Sequence, residues 1–284
     1  MKQRVLILLF FLYFLHANGF CQHYKAVIKL PIADVYERPT RASPLLTQSL
    51  LNEEIEIILE SGSFVYAKVP DGYSGYIKIS DITTNLSSIF AEGDKVIVKS
   101  KFAVIYDSNG KEIYKAPMTS MFYGYQSGNY YKVILPENVV GYIREEDAFS
   151  IPKNEPIPLR DRRFFVETAQ LFMGTKYLWG GCSANGIDCS GLTYIVAKIN
   201  GLRIPRDSRP QSEMGVFVDL TDALPGDNLF FSEDTKKTKV THTGIYLGNG
   251  NFIHSSINTG GVVISNIYNS EYFMGRFMFA KCLF

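Results

Sequence analysis

An internal repeat constrains this chain more than any other feature. Pro70-Asp71-Gly72-Tyr73-Ser74-Gly75-Tyr76-Ile77 aligns with Pro136-Glu137-Asn138-Val139-Val140-Gly141-Tyr142-Ile143 at an offset of 66 residues, and Asp81 falls on Asp147. Repetition at this period means two copies of one unit of about 60 residues. Ile55 to Leu59, Phe64 to Val69 and Gly75 to Ile79 alternate as strands do, and Glu60-Ser61-Gly62-Ser63 and Pro70-Asp71-Gly72 separate them as turns. Short strands with a closing Gly-Tyr-Ile predict two small β-barrels, over residues 24–84 and 85–150. Ile151 to Pro158 then carries three prolines in eight residues. That favours an extended connector, because proline cannot donate to a sheet ladder.

The pattern changes over residues 159–284. Arg162 to Met173 places Phe165, Ala169 and Phe172 on one helical face and stops at Gly174. Ser190 to Gly201 carries a second stripe of Leu192, Ile195, Val196 and Ile199. Strand patterns follow at Leu229-Phe230-Phe231, Thr241 to Leu247, Asn251 to His254, Val262 to Ser265 and Phe277 to Lys281. Helices first and strands after indicate an α+β domain with helices packed on an antiparallel sheet.

The first residues read differently again. Lys2 and Arg4 precede the apolar run Val5 to Leu15, and Ala17 and Gly19 supply the small residues of a cleavage site. Residues 1–19 are therefore expected to be a secretory signal. The mature protein is then exported, to the periplasm or beyond. Cys21 follows the bulky Phe20, which argues against lipidation there. No other segment is apolar enough for a membrane span. The formal net charge of +1 argues against a nucleic-acid partner. Four cysteines among 284 residues exclude a disulfide scaffold. No cofactor is implied, and a monomer is expected.

Chemistry concentrates at Gly186-Ile187-Asp188-Cys189-Ser190-Gly191-Leu192, where a cysteine stands immediately before the second helix. Unpaired N–H groups and the helix dipole favour a thiolate there, and the thiolate is the nucleophile. The alternative is a buried structural cysteine. Of four histidines, His242 and His254 lie 12 residues apart across Gly248-Asn249-Gly250. A hairpin can bring both to one face if the pairing is even, with a three-residue turn over Gly248 to Gly250, or if a bulge intervenes. A plain two-residue loop puts them on opposite faces. A metal site of Cys189, His242 and His254 lacks a fourth ligand. Cys182 reads as an accidental thiol and Cys282 as core.

Tyr177-Leu178-Trp179-Gly180-Gly181, Asp188-Cys189-Ser190-Gly191, Leu224-Pro225-Gly226-Asp227, His242-Thr243-Gly244-Ile245-Tyr246 and His254 occur in that order. This series resembles the NlpC/P60 family of papain-like cysteine peptidases, which cut bacterial cell-wall peptides. The repeated units resemble tandem bacterial SH3 (SH3b) domains. The resemblance implies Cys189 as nucleophile, His242 as general base and His254 as the residue that orients it. It also implies an oxyanion contact from Tyr177 and a cleft position for Trp179, which is otherwise a plain core aromatic.

A subgroup that joins SH3b domains to the peptidase, the γ-D-glutamyl-L-diamino acid endopeptidases, releases L-Ala-γ-D-Glu from peptides with a free N-terminal L-Ala. That likeness implies substrate contacts from Asp207 and Ser208, from Asp188 and Ser190, and from Glu37 and Tyr73 of the first unit. Copy two has Val139 where copy one has Tyr73, so Tyr73 is expected to face a ligand or a neighbouring domain. Asp188 and Glu37 are expected to hold the free ammonium. The competing functions are lysis of intact wall with the SH3b pair as anchors, non-catalytic wall binding, and transamidation. The residues do not choose between diaminopimelate and lysine.

Overall fold

The computed structural model describes residues 23–284; the expected signal segment and Cys21 lie outside the described residues. The first unit is built from β1 (Tyr24–Ile28), β2 (Ile32–Tyr36), β3 (Leu45–Leu50), β4 (Glu54–Ser61), β5 (Phe64–Lys68), β6 (Ser74–Lys78) and β7 (Ile82–Thr83). The second uses β8 (Asp94–Val98), β9 (Phe102–Tyr106), β10 (Glu112–Pro117), β11 (Met121–Ser127), β12 (Tyr130–Leu135), β13 (Val139–Arg144) and β14 (Ala148–Ile151). Their sheet orders are β3-β2-β6-β5-β4-β1-β7 and β10-β9-β13-β12-β11-β8-β14. Adding seven to each label of the first order yields the second, so the textual repeat is also a repeat of topology. The sheets do not close into the barrels expected from the sequence; each is an open, SH3b-like sheet.

The repeated glycine of Gly-Tyr-Ile has a steric cause. A Cβ on Gly75 would lie 2.7 Å from Val35 Cγ1, and one on Gly141 would lie 2.6 Å from Ile105 Cγ2. In each copy this strand crosses too close to its neighbour to carry a side chain. Ile151, expected in the connector, is instead the last strand residue and pairs with Lys95. The residue before a proline favours extended backbone, which suits a strand end.

Helix α1 (Ser87–Phe90) lies between the two sheets. Helix α2 (Arg162–Leu171) starts at Asp161, whose carboxylate accepts the Phe164 N–H. It ends before Gly174, which adopts φ +75°. Then come β15 (Cys182–Ser183), β16 (Gly186–Ile187), α3 (Cys189–Ile199), α4 (Ser208–Gln211) and β17 (Val216–Val218). The chain finishes with β18 (Asn228–Ser232), β19 (Val240–Gly248), β20 (Asn251–Ser256), β21 (Gly261–Asn266), α5 (Glu271–Arg276) and β22 (Phe277–Cys282). The main sheet runs β17-β22-β18-β19-β20-β21, with every neighbouring pair antiparallel. This is the α+β arrangement read from the sequence.

The two helical stripes meet in one core that all three units share. Phe165, Ala169, Phe172, Leu192, Ile195, Val196 and Ile199 cluster with Leu50 of the first unit and Ile97 and Met118 of the second. Burial of each large side chain contributes about 1.5–3 kcal/mol, so this cluster outweighs the polar contacts between units. One of those contacts is nonetheless half-buried: Lys198 Nζ lies 2.6 Å from Glu53 Oε1. Elements α4, α5 and β17 had no legible sequence pattern. They are short, and Val216 and Phe217 of β17 are exposed on the sheet edge.

Candidate active site

Asp188 sets the start of α3. Its backbone is extended, and its carboxylate accepts the Gly191 N–H at 2.6 Å. Cys189 is thereby the first helical residue, and its sulfur receives the backbone N–H groups of Ser190 and Thr243. Those N–H groups favour the thiolate, as the sequence suggested. Burial outweighs them and, with the charge of Asp188, pushes the thiol up to about 12. The resting group is therefore a thiol that must pass its proton to a base as it reacts.

The hairpin of β19 and β20 brings two imidazoles to the same cavity, with His242 lining it beside Cys189. Its loop is two residues, Asn249 and Gly250, both at positive φ (52° and 77°). The register shifts between Tyr246 and Gly248, so a bulge at Leu247 replaces the three-residue turn expected from the sequence. The bulge restores even pairing and brings both imidazoles to one face. His242 Nε2 and His254 Nδ1 are 2.9 Å apart, and His254 Nε2 is 3.0 Å from Ser265 Oγ. His254 is fully buried and stacks on Phe252 with ring centroids 4.8 Å apart. The chain Ser265–His254–His242 therefore fixes the His242 ring.

Burial lowers His242 to about 4; burial and then the neighbouring His242 lower His254 to about 3. Both are neutral at pH 7. The unfolded chain takes up protons on these rings below about pH 6.5 and the native state does not. Stability is therefore highest above pH 6.5 and falls as the pH drops towards 4. Chemical denaturation at stepped pH is expected to show uptake approaching two protons on unfolding between pH 6 and 4.5; in a His254→Phe variant that uptake should shrink. A flat profile in the wild type would contradict this.

A buried ion pair lies beneath the cysteine. Arg206 is 2% exposed. It donates to both Asp188 oxygens, at 3.0 and 2.8 Å, to Ser190 Oγ at 3.0 Å and to the Gly181 carbonyl at 3.0 Å. Asp188 also accepts the Gly180 N–H at 2.8 Å. The carboxylate expected to hold a substrate ammonium is thus already saturated, and it serves as helix cap and partner of Arg206. Ser190 is likewise buried within this network. Arg206 carried no assigned role in the sequence, although it directly precedes Asp207-Ser208.

The surrounding cleft has a volume of about 530 Å³. Cys189, His242, Tyr177, Trp179, Asp207 and Ser208 line it, Asp188 and Ser190 reach it from the network with Arg206, and Leu46 and Tyr73 of the first unit complete one wall. Gly180 seats that unit: a Cβ there would lie 2.9 Å from the Leu45 carbonyl oxygen. Trp179 is 68% exposed at the cleft, which disposes of the core-aromatic reading. Burial first, then the neighbouring Cys189 and Asp188, push the Tyr177 phenol up to about 12, so it is a neutral donor. Tyr73 donates its hydroxyl to Asp207 Oδ2 across the unit boundary. Asp207 precedes α4 yet makes no capping bond, so its carboxylate stays available to the cleft. Val139 of the second copy is not among the lining residues.

Two residues stand elsewhere. Glu37 is exposed and does not line the cleft, so the expected pairing of Glu37 with Asp188 around an ammonium is not formed. Cys182 is buried and donates to the Gln48 carbonyl at 3.3 Å. Among the described residues no group of three His, Cys, Asp or Glu side chains is arranged to hold a metal. Glu233, Tyr272 and Arg276 also line the cleft without any signal in the sequence. They come from a loop and a short helix whose proximity to Cys189 depends on the folded sheet.

Two family models match the chain: the NlpC/P60 family over residues 174–281, and the bacterial dipeptidyl-peptidase SH3 domain over residues 35–82. A γ-D-glutamyl-L-lysine dipeptidyl-peptidase of Bacillus cereus (strain ATCC 10987) is 31% identical over 233 residues, covering 76% of this chain and 68% of the relative. The protein of the same name from Bacillus subtilis (strain 168) is 33% identical, covering 74% and 71%. The crystal structure of an NlpC/P60 family protein from Bacillus cereus ATCC 10987 superposes with a TM-score of 0.85 at 26% identity, over 91% of this chain and 99% of that one.

Proposed function

The chain belongs to the NlpC/P60 family and is a cysteine peptidase, and on that premise we propose that it hydrolyses the γ-D-Glu–L-diamino acid bond of exported, peptidoglycan-derived peptides. The observation that carries this reading is the meeting of two units in one cleft. Tyr73 of the first sheet bonds Asp207 in the same cavity that Cys189 and His242 line. A carboxylate there suits a free amine at the end of a short peptide.

In the proposed reaction Cys189 Sγ attacks the γ-carbonyl of D-Glu as its proton passes to His242. The oxyanion takes hydrogen bonds from the Cys189 backbone N–H and the Tyr177 hydroxyl, a pairing that acts where charge develops. His242 then protonates the leaving diamino-acid amine, and a thioester to Cys189 remains. Water, deprotonated by His242, releases L-Ala-γ-D-Glu and the thiol. His254, bonded to Ser265, keeps the His242 ring aimed throughout.

The reading gives Asp207 the part first assigned to Asp188 and Glu37. A free L-Ala ammonium pairs with it, whereas an acetylated N-terminus brings no charge and leaves that carboxylate with the Tyr73 hydroxyl alone. Asp207 is half-buried, so rejection stays below the ~10⁴-fold that a fully buried unpaired group can give. Mass spectrometry of L-Ala-γ-D-Glu-diamino acid and of its N-acetylated form should show the free peptide cleaved at least ~100-fold faster. Insoluble peptidoglycan should remain undigested. Equal rates on both peptides, or lysis of the wall, would favour the wall-lytic function instead.

A further inference from the structure

Besides His242, the third unit lines the cleft with Phe231, Glu233, Tyr272 and Arg276. Phe231 pairs with His242 in the sheet, ring centroids 5.9 Å apart. Glu233 follows just past the end of β18 at Ser232 and lines the same cavity. Its carboxylate is exposed and only loosely opposed by Lys239, at 3.8 Å. Arg276 stands beside it and also lines the cavity.

The guanidinium of Arg276 is held rigidly. Nε donates to the Glu233 carbonyl at 3.1 Å and Nη1 to the Tyr272 carbonyl at 3.2 Å. The group lies over the Tyr272 ring at 3.9 Å. Nη2 takes no protein partner among the described residues and remains for a ligand. The cavity therefore presents one fixed positive group and one negative group on the same wall. That pattern complements a carbon bearing both an ammonium and a carboxylate.

We propose that Glu233 and Arg276 form the subsite for the diamino-acid side chain and select diaminopimelate over lysine, although both Bacillus relatives are named for a lysine peptide. The inference rests on the scissile bond assigned above. Glu233 takes the distal ammonium, which both diamino acids have. Arg276 takes the distal carboxylate, which only diaminopimelate has. A charge-assisted bond of this kind separates two ligands by about 10–100-fold.

The test is the ratio of kcat/KM for L-Ala-γ-D-Glu-diaminopimelate and L-Ala-γ-D-Glu-L-lysine on one preparation of the full chain. A ratio cancels any loss of folded enzyme. The wild type is expected to favour diaminopimelate at least ~10-fold. Arg276→Met should bring the ratio close to one, Arg276→Lys should recover part of it, and Glu233→Gln should weaken both substrates while preserving the preference. A wild-type ratio of one, or a ratio unmoved by Arg276→Met, overturns this subsite and leaves the bond assignment standing. If neither tripeptide is cleaved by the wild type, the bond assignment fails and the subsite with it.

Discussion

Replacing Cys189 with alanine is expected to lower kcat for tripeptide hydrolysis by at least ~10⁴-fold, because the covalent route is lost and the remaining groups act only on a bound substrate. The loss should fall on kcat with little change in the apparent dissociation constant for the peptide, since Asp207, Tyr73 and Trp179 are left in place. Stability should hardly move. Cys189 keeps partial exposure at the cleft, and the N–H groups it receives can turn to water. A melting temperature within about 3 °C of the wild type is therefore expected. Single-turnover mass spectrometry with excess enzyme checks both halves: acyl-enzyme should accumulate in the wild type and never in the variant. Residual turnover above one part in a hundred would remove Cys189 from the reaction.

Arg206→Ala should have the largest effect on stability. The side chain makes four hydrogen bonds from a buried position, two of them to Asp188. Deleting it leaves a carboxylate that is 7% exposed with only the Gly180 and Gly191 N–H groups and Ser190 Oγ, and it leaves the Gly181 carbonyl without that donor. Breaking a buried pair from one side costs ~3–5 kcal/mol, which lowers the melting temperature by roughly 10 °C. The neutral isostere pair Arg206→Met with Asp188→Asn should lose much less than the sum of the single changes, because no lone charge stays buried. Activity should fall in every one of these variants, since Asp188 caps the helix that carries Cys189. Calorimetry decides it: a shift under 3 °C for Arg206→Ala would mean that the pair is not structural.

Parts of this site were legible residue by residue. Cys189 stood at a helix start because the stripe of Leu192, Ile195, Val196 and Ile199 begins just after it, and the helix does begin there. His242 and His254 demanded one face of a hairpin, and the hairpin provides it. The means differed: Asn249-Gly250 favours a tight loop with both residues at positive φ, so the parity came from the bulge at Leu247. A bulge has little local signature, because it satisfies a tertiary demand. The partners of Asp188 were not legible for a similar reason. Nothing near it in the chain announces Arg206, which comes 18 residues later and is drawn in by the unpaired charge.

The sequence alone determined the repeat, the helical stripes and the order of chemical groups along the chain, because these depend on side-chain periodicity, glycine sterics and caps within a few residues. Only the tertiary structure decided which carboxylates are spent and which are free. It buried Asp188 against Arg206, left Glu37 in solvent, turned Asp207 towards Tyr73 and set Glu233 and Arg276 along the cleft. The reason is electrostatic: a charge acquires its role from burial and from partners far away in sequence, and neither exists until the three units have packed around one core.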